Sequence, residues 1–188
     1  MKKVIPHFLI LFSFLFLTAC SPADQGARAL LGNPDAPVLI EEFSDFECPA
    51  CGQVGPALEA LIHKNPQLAR LEFHHFPLSY HQNAFRAAEA AECANDQGKF
   101  WEFAQLNFEN QKSLTDDNLK SFADQLGLDR VAFNACFDGN EKRAWIKADI
   151  QDGLRRQLSY TPSLYVNGQL VQWGGAEEFE AYLKSLKE

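Results

Sequence analysis

Cys48-Pro49-Ala50-Cys51 places two thiols a single helical turn apart, a spacing suited to disulfide exchange. The attacking species in such exchange is the thiolate, and an ordinary cysteine of pKa about 8.5 is only about 3% ionised at pH 7. A helix N-terminus relieves this, because its unpaired N–H groups and the positive end of the helix dipole favour the anion. Cys48 is therefore the candidate nucleophile. Cys51, one turn further in on the same face, can reach it and act as the resolving thiol. Pro49 is tolerated in a first turn, where its missing N–H had no partner to lose. Two other uses of the pair stay open, a structural disulfide and half of a zinc site. Structural zinc usually takes four ligands, and Cys93 and Cys136 lack the CxxC spacing that would complete a set. A bridge at an exposed helix end would clamp no distant segments.

The elements around this pair are legible in the pattern. Val38 to Phe43 is an apolar, β-branched run after Pro34 and Pro37 and predicts a buried strand. From Cys51 to Lys64, Val54, Leu58, Leu61 and Ile62 recur at helical spacing until Asn65-Pro66 ends the pattern. Leu71 to Phe76 predicts a second strand, parallel to the first because a helix joins them. Residues 83 to about 158 then read as helical blocks, Asn83–Asn95, Lys99–Asn110, Asp116–Leu126, Arg130–Phe137 and Ala144–Leu158. Thr115 and Asp129 suit N-caps and Gly127 a helix stop. Leu164–Val166 and Gln169–Gln172 flank Asn167-Gly168, a hairpin signal of type I′. A last amphipathic helix carries Phe179, Tyr182, Leu183 and Leu186. The dithiol thus falls where the first strand hands over to the first helix.

Composition bounds the rest. The 188 residues are 46% hydrophobic and 22% charged, which suits a globular chain and excludes disorder and fibre. A formal charge of −8 leaves no basic face for nucleic acid. Five cysteines is an odd number, so one needs its own account. Lys2 and Lys3 precede an apolar stretch from Phe8 to Leu17, a secretory layout too short, at about 15 Å as a helix, to span a bilayer. Leu17-Thr18-Ala19-Cys20 resembles the lipobox of bacterial lipoproteins. That resemblance implies cleavage before Cys20, lipidation of Cys20 and attachment to a bacterial membrane on its periplasmic or extracytoplasmic side. An ordinary signal peptide leaving Cys20 as a free thiol is the plainer alternative. Residues 1–19 are then a signal peptide and 20–33 a tether, with a maximum reach of about 45 Å.

Four segments carry a wider resemblance: DAPVLIEEFSDFECPAC at 35–51, FPL at 76–78, AAECANDQGKFWEF at 90–103 and TPSLYVNG at 161–168. Together they resemble the DsbA-like thiol-disulfide oxidoreductases of the thioredoxin superfamily, in particular the BdbD-type branch. The resemblance implies an α/β thioredoxin fold over 34–188, with a helical domain inserted at about 83–143 between an N-terminal βαβ unit and a C-terminal αββα unit. It implies exchange of disulfides with exported proteins and no cofactor. It also implies a membrane redox partner of the DsbB or vitamin K epoxide reductase type, or of the DsbD type if the traffic is reductive. Thr161-Pro162 matches the cis-proline loop that faces the dithiol and pairs with an extended substrate segment. Glu42, six residues before Cys48, matches the buried acid that relays a proton for the resolving cysteine. On a strand, Glu41 and Glu42 point to opposite faces, so one of them is expected in solvent. Where many strongly oxidising relatives carry histidine before the second cysteine, this chain has Ala50, which weakens support for the Cys48 thiolate and leaves the direction of exchange open.

Cys93 and Cys136 remain. In an oxidising compartment they suit a second disulfide, and buried free thiols are the alternative. His63, His74, His75 and His81 invite a metal site with CPAC sulfur, as in a copper carrier. Adjacent His74 and His75 cannot share a strand face, so one is expected near Glu42 and the rest in solvent. Phe100, Trp101, Phe103 and Phe108 read mostly as core.

Overall fold

The computed structural model describes residues 27–186. Signal residues 1–19, Cys20 and the start of the expected tether lie outside that range. Val38–Ser44 forms strand β2, Cys51–Lys64 helix α1 and Ala69–His75 strand β3, with β2 and β3 parallel in register from Val38↔Ala69 to Ser44↔His75. Four helices follow, α2 (Ala84–Asn95), α3 (Phe100–Glu109), α4 (Asp116–Gln125) and α5 (Arg130–Asp138), and then α6 (Arg143–Arg155). Thr115 accepts from the Asn118 N–H and Asp129 from the N–H groups of Val131 and Ala132, so each opens its helix with a side-chain cap. The chain returns to the sheet as β4 (Ser163–Val166) and β5 (Gln169–Val171), and α7 (Ala176–Ser185) closes it. Asn167 and Gly168 join β4 to β5 with φ of 49° and 79°, the paired positive values that a type I′ turn requires.

The five-stranded sheet runs β1-β3-β2-β4-β5, where β1 is Leu30–Leu31 lying antiparallel to β3. β1 corrects the expectation of a free tether through residue 33. Ala29 is buried, Leu30 pairs with Glu72, and Arg28 reaches Asp149 on α6 through two hydrogen bonds of 2.7 and 3.0 Å. Two residues are too short for any alternation to show in sequence, so only their partner strand defines them.

Central strand β2 is covered on both faces. Val38 and Ile40 pack with Val54, Leu58, Leu61 and Ile62 of α1 and Phe179 and Leu183 of α7. Phe43 packs on the other face with Phe76, Leu158 and Tyr165. A third cluster fills the helical insertion, including Phe100, Phe103, Phe133 and Phe137, and continues into Cys48 and Cys51. This double coverage overturns the expectation that one of two adjacent glutamates is solvated. Glu42 is fully buried, and Glu41 on the opposite face is buried too, accepting from Arg156 at 2.8 Å.

Candidate active site

The CPAC loop follows β2, and α1 begins at Cys51. No acidic residue lies in the first turn of α1 and no side chain caps it, and the N–H groups of Ala50 and Cys51 at its start serve an anion at Cys48. Cys48 is 7% exposed and Cys51 is 0% exposed, and both are free thiols. The solvent-facing sulfur is therefore Cys48. Across the cleft the Thr161–Pro162 peptide bond is cis, and Cys48 Sγ lies 3.4 Å from the Thr161 carbonyl oxygen, to which the protonated thiol donates. The Thr161 hydroxyl is buried with no partner of its own.

The two thiols differ sharply in acidity. A hydrogen bond from the Cys51 thiol, helped by the backbone N–H groups of Cys51 and Ala50, outweighs burial and brings Cys48 down to about 5. Burial, the neighbouring Cys48 and the Glu42 carboxyl hold Cys51 well above the ordinary thiol range. One sulfur is thus ready to attack or leave as an anion, and the other to hold a proton. Beneath them Glu42 has no hydrogen-bond partner for either carboxyl oxygen, and burial, reinforced by Glu59, pushes it up to about 8. A neutral Glu42 can supply a proton at neutral pH.

The other sequence candidates are placed as follows. Cys93 on α2 and Cys136 on α5 are joined as a disulfide across 43 residues. His74 and His75 are both buried, which corrects the expectation of solvated histidines. His75 Nε2 meets Glu92 at 2.9 Å, while His74 stacks on Phe43 and has Glu41 and Glu72 each at 3.7 Å. Their acidic partners include no Glu42. His81 bonds Asp45 at 2.7 Å, and His63 is exposed. Among the described residues no three histidine, cysteine or acidic side chains group as metal ligands.

Three further residues, none of them a site candidate in the sequence, shape the loop. Asp45 accepts from the N–H groups of Glu47 and Leu78 at 2.7 Å each, fixing the loop's entry. Glu47 accepts from the N–H groups of Asn83 and Ala84, at 2.8 and 3.0 Å, at the start of α2. Gln111 of the insertion donates to the Cys48 carbonyl at 2.7 Å. An acidic residue just before the dithiol was the only available hint for the first two; for Gln111 there was none.

A dithiol at the head of a helix, faced by a cis proline on a mixed sheet, defines a thioredoxin-type protein. A thioredoxin family model matches residues 24–186, and the chain belongs to that family. Its fold is that of DsbA- and BdbD-type proteins. BdbD from Bacillus subtilis superposes with a TM-score of 0.74 at 23% identity, covering 86% of this chain and 94% of that one. The thiol-disulfide exchange protein alpha-DsbA2 from Wolbachia pipientis gives 0.76 at 18% identity over 87% and 90%. DsbA2 of Pseudomonas aeruginosa gives 0.68 at 26% over 86% and 95%. In sequence the chain is 36% identical over 149 residues to a Na(+)/H(+) antiporter NhaA 1 of Salinispora arenicola, covering 79% of this chain and 23% of the antiporter. The chain spans about a quarter of the length of the curated relatives it matches. Among its described residues no helix is long and apolar enough to cross a membrane.

Proposed function

We propose that the protein is a thiol-disulfide oxidoreductase of the cell envelope, held to a bacterial membrane by lipid on Cys20, that promotes disulfide formation in exported proteins. The observation that carries this reading is the asymmetry of the dithiol: an acidic, slightly exposed Cys48 beside the cis-Pro162 loop, and a buried, proton-holding Cys51 above Glu42. In the oxidising direction a substrate thiolate attacks Sγ of Cys48 in the Cys48–Cys51 disulfide. That bond breaks, the mixed disulfide forms, and Cys51 leaves as a thiolate that takes the proton of Glu42. A second substrate thiolate then attacks the substrate sulfur and expels Cys48 as a thiolate. Two electrons pass from substrate to the CPAC pair, and the substrate gains a disulfide.

A low Cys48 pKa stabilises the reduced pair and so makes the disulfide more oxidising, which supports oxidation over reduction. Substitution of histidine by Ala50 works the other way. The partner that removes the electrons is a membrane protein of the DsbB or vitamin K epoxide reductase type, or of the DsbD type supplying electrons if the pair works as a reductase. A copper carrier lacks a histidine grouped with the two sulfurs among the described residues.

The test is refolding of a reduced model protein and dithiothreitol-driven reduction of insulin, with Cys48→Ala as control. Activity that requires Cys48 is expected; a protein inert in both assays would sink the reading. Equilibration with glutathione decides the direction. A potential near or above about −150 mV marks an oxidase, and one near about −270 mV a reductase.

A further inference from the structure

Gln111 sits in the turn between α3 and α4, far from the CPAC motif in sequence, yet its side chain crosses to the loop that carries Cys48. Its Nε2 donates to the carbonyl oxygens of Phe46 at 2.9 Å and Cys48 at 2.7 Å. The rest of the amide lies against the first turn of α1, where a Cβ added to Gly52 would meet Oε1 at 2.6 Å and Cδ at 2.9 Å. The turn that presents it is braced. Asn110 Nδ2 donates to the Leu106 carbonyl, and Asn118 Nδ2 donates to the Ser113 carbonyl, both at 2.8 Å.

This contact acts on the residue that does the chemistry. The Cys48 carbonyl also accepts the Gly52 N–H at 3.1 Å, so it is the first acceptor of α1. With the Phe46 and Cys48 carbonyls both drawn to one amide, the backbone through Cys48 has one course. That course leaves Sγ 3.4 Å from the Thr161 carbonyl, at the open end of the helix. Donation to the carbonyl of Cys48 itself also offsets partial negative charge beside the sulfur.

We propose that Gln111 is a positioning residue for the dithiol, through which the helical insertion holds the Cys48 backbone in its reactive course, and that position 52 is glycine to leave room for its amide. The consequence for turnover rests on the exchange reading above; the consequence for the thiol can be measured without it. The variants are Gln111→Met, which keeps length and removes the donor, and Gly52→Ala, whose added methyl meets only the end of a flexible side chain and displaces the amide without deleting it. In the reduced full-length protein, Cys48 ionisation is followed by thiolate absorbance and by the pH dependence of alkylation. Thermal unfolding is recorded alongside.

Both folded variants are expected to raise the Cys48 midpoint by roughly 0.5 to 1 pH unit, the worth of one net hydrogen bond. The equilibrium with glutathione should shift about three- to tenfold toward the protein disulfide. Combining Gly52→Ala with Gln111→Met should add little to either alone. Folded variants with wild-type midpoint and equilibrium, or full additivity in the double variant, would overturn the proposal. If Gln111→Met does not fold, Gly52→Ala decides. A wild-type protein that exchanges no disulfide would defeat the functional reading, and the Cys48 midpoint would still decide the role of Gln111.

Discussion

Glu42 shows how far burial alone can set a residue's chemistry. Among the described residues neither of its carboxyl oxygens has a hydrogen-bond partner, and burial, only partly offset by the nearby Ser44 hydroxyl, retains its proton up to about 8. In the unfolded chain it ionises near 4.5. Because the folded value is the higher one, Glu42 imposes no penalty below about pH 4.5, and folding becomes progressively more costly as pH rises from there to about 8. Glu42→Gln is therefore expected to raise thermal stability at pH 8, by roughly 1 kcal/mol or more, and to leave it nearly unchanged at pH 4. Melting curves at the two pH values check this, and an equal gain at both would show that Glu42 is not held neutral. On the proposed mechanism, in which Glu42 supplies the proton for Cys51, the same variant should slow disulfide exchange by about a hundredfold or more. Cys48 shifts in the opposite sense. Its alkylation rate is expected to rise through about pH 5 and level off above it, as the thiolate fraction saturates.

At the scale of elements, the helical insertion is held by long-range ties. The Cys93–Cys136 bridge joins α2 to α5 inside the cluster that also holds Cys48 and Cys51. Closing a loop of 43 residues restricts the unfolded chain by up to about 4 kcal/mol in the chain-entropy picture. Replacing both cysteines by alanine is expected to cost about 2–4 kcal/mol in denaturant unfolding. An unchanged midpoint would mean the bridge constrains nothing that the packing does not already hold. On the other side of the insertion, Glu47 receives the first N–H groups of the α2 end and Gln111 reaches back from the α3–α4 turn. The CPAC loop is thus tied to the start of the helical block and to the α3–α4 turn in its middle.

For the molecule as a whole, residues 28–31 ahead of β2 are part of the fold. Asp149 on α6 accepts two hydrogen bonds from Arg28 and a third from the His75 N–H at 2.8 Å. Arg28 also donates to the Phe73 carbonyl at 2.9 Å and lies over the Trp145 ring. Against the cost of burial, these partners hold the Asp149 carboxyl below the usual carboxylate range. Asp149→Ala leaves a partly buried guanidinium and a buried N–H without their carboxylate, and a loss of about 2–3 kcal/mol in urea unfolding is expected. A loss under about 1 kcal/mol would show the arm to be a surface attachment. If Cys20 carries lipid, pinning the chain at Ala27 shortens the maximum reach from membrane to domain to about 25 Å.

The amino-acid sequence by itself determined what depends on neighbours along the chain. The strand-to-helix placement of Cys48 and Cys51 followed from local periodicity, the caps at Thr115 and Asp129 from side-chain oxygens at helix starts, and the Asn167-Gly168 hairpin from two residues that tolerate positive φ. The wider resemblance pointed to Glu42 and Pro162. Tertiary structure alone decided where polar groups went once the sheet was covered on both faces. It buried Glu41 with Arg156, paired His75 with Glu92, recruited Leu30 and Leu31 to an edge of the sheet, and set the Gln111 amide on the Cys48 carbonyl. Each of these joins residues far apart in the chain. A buried polar group takes whatever partner the packing brings within about 3 Å, and no local pattern of residue types encodes which partner that is.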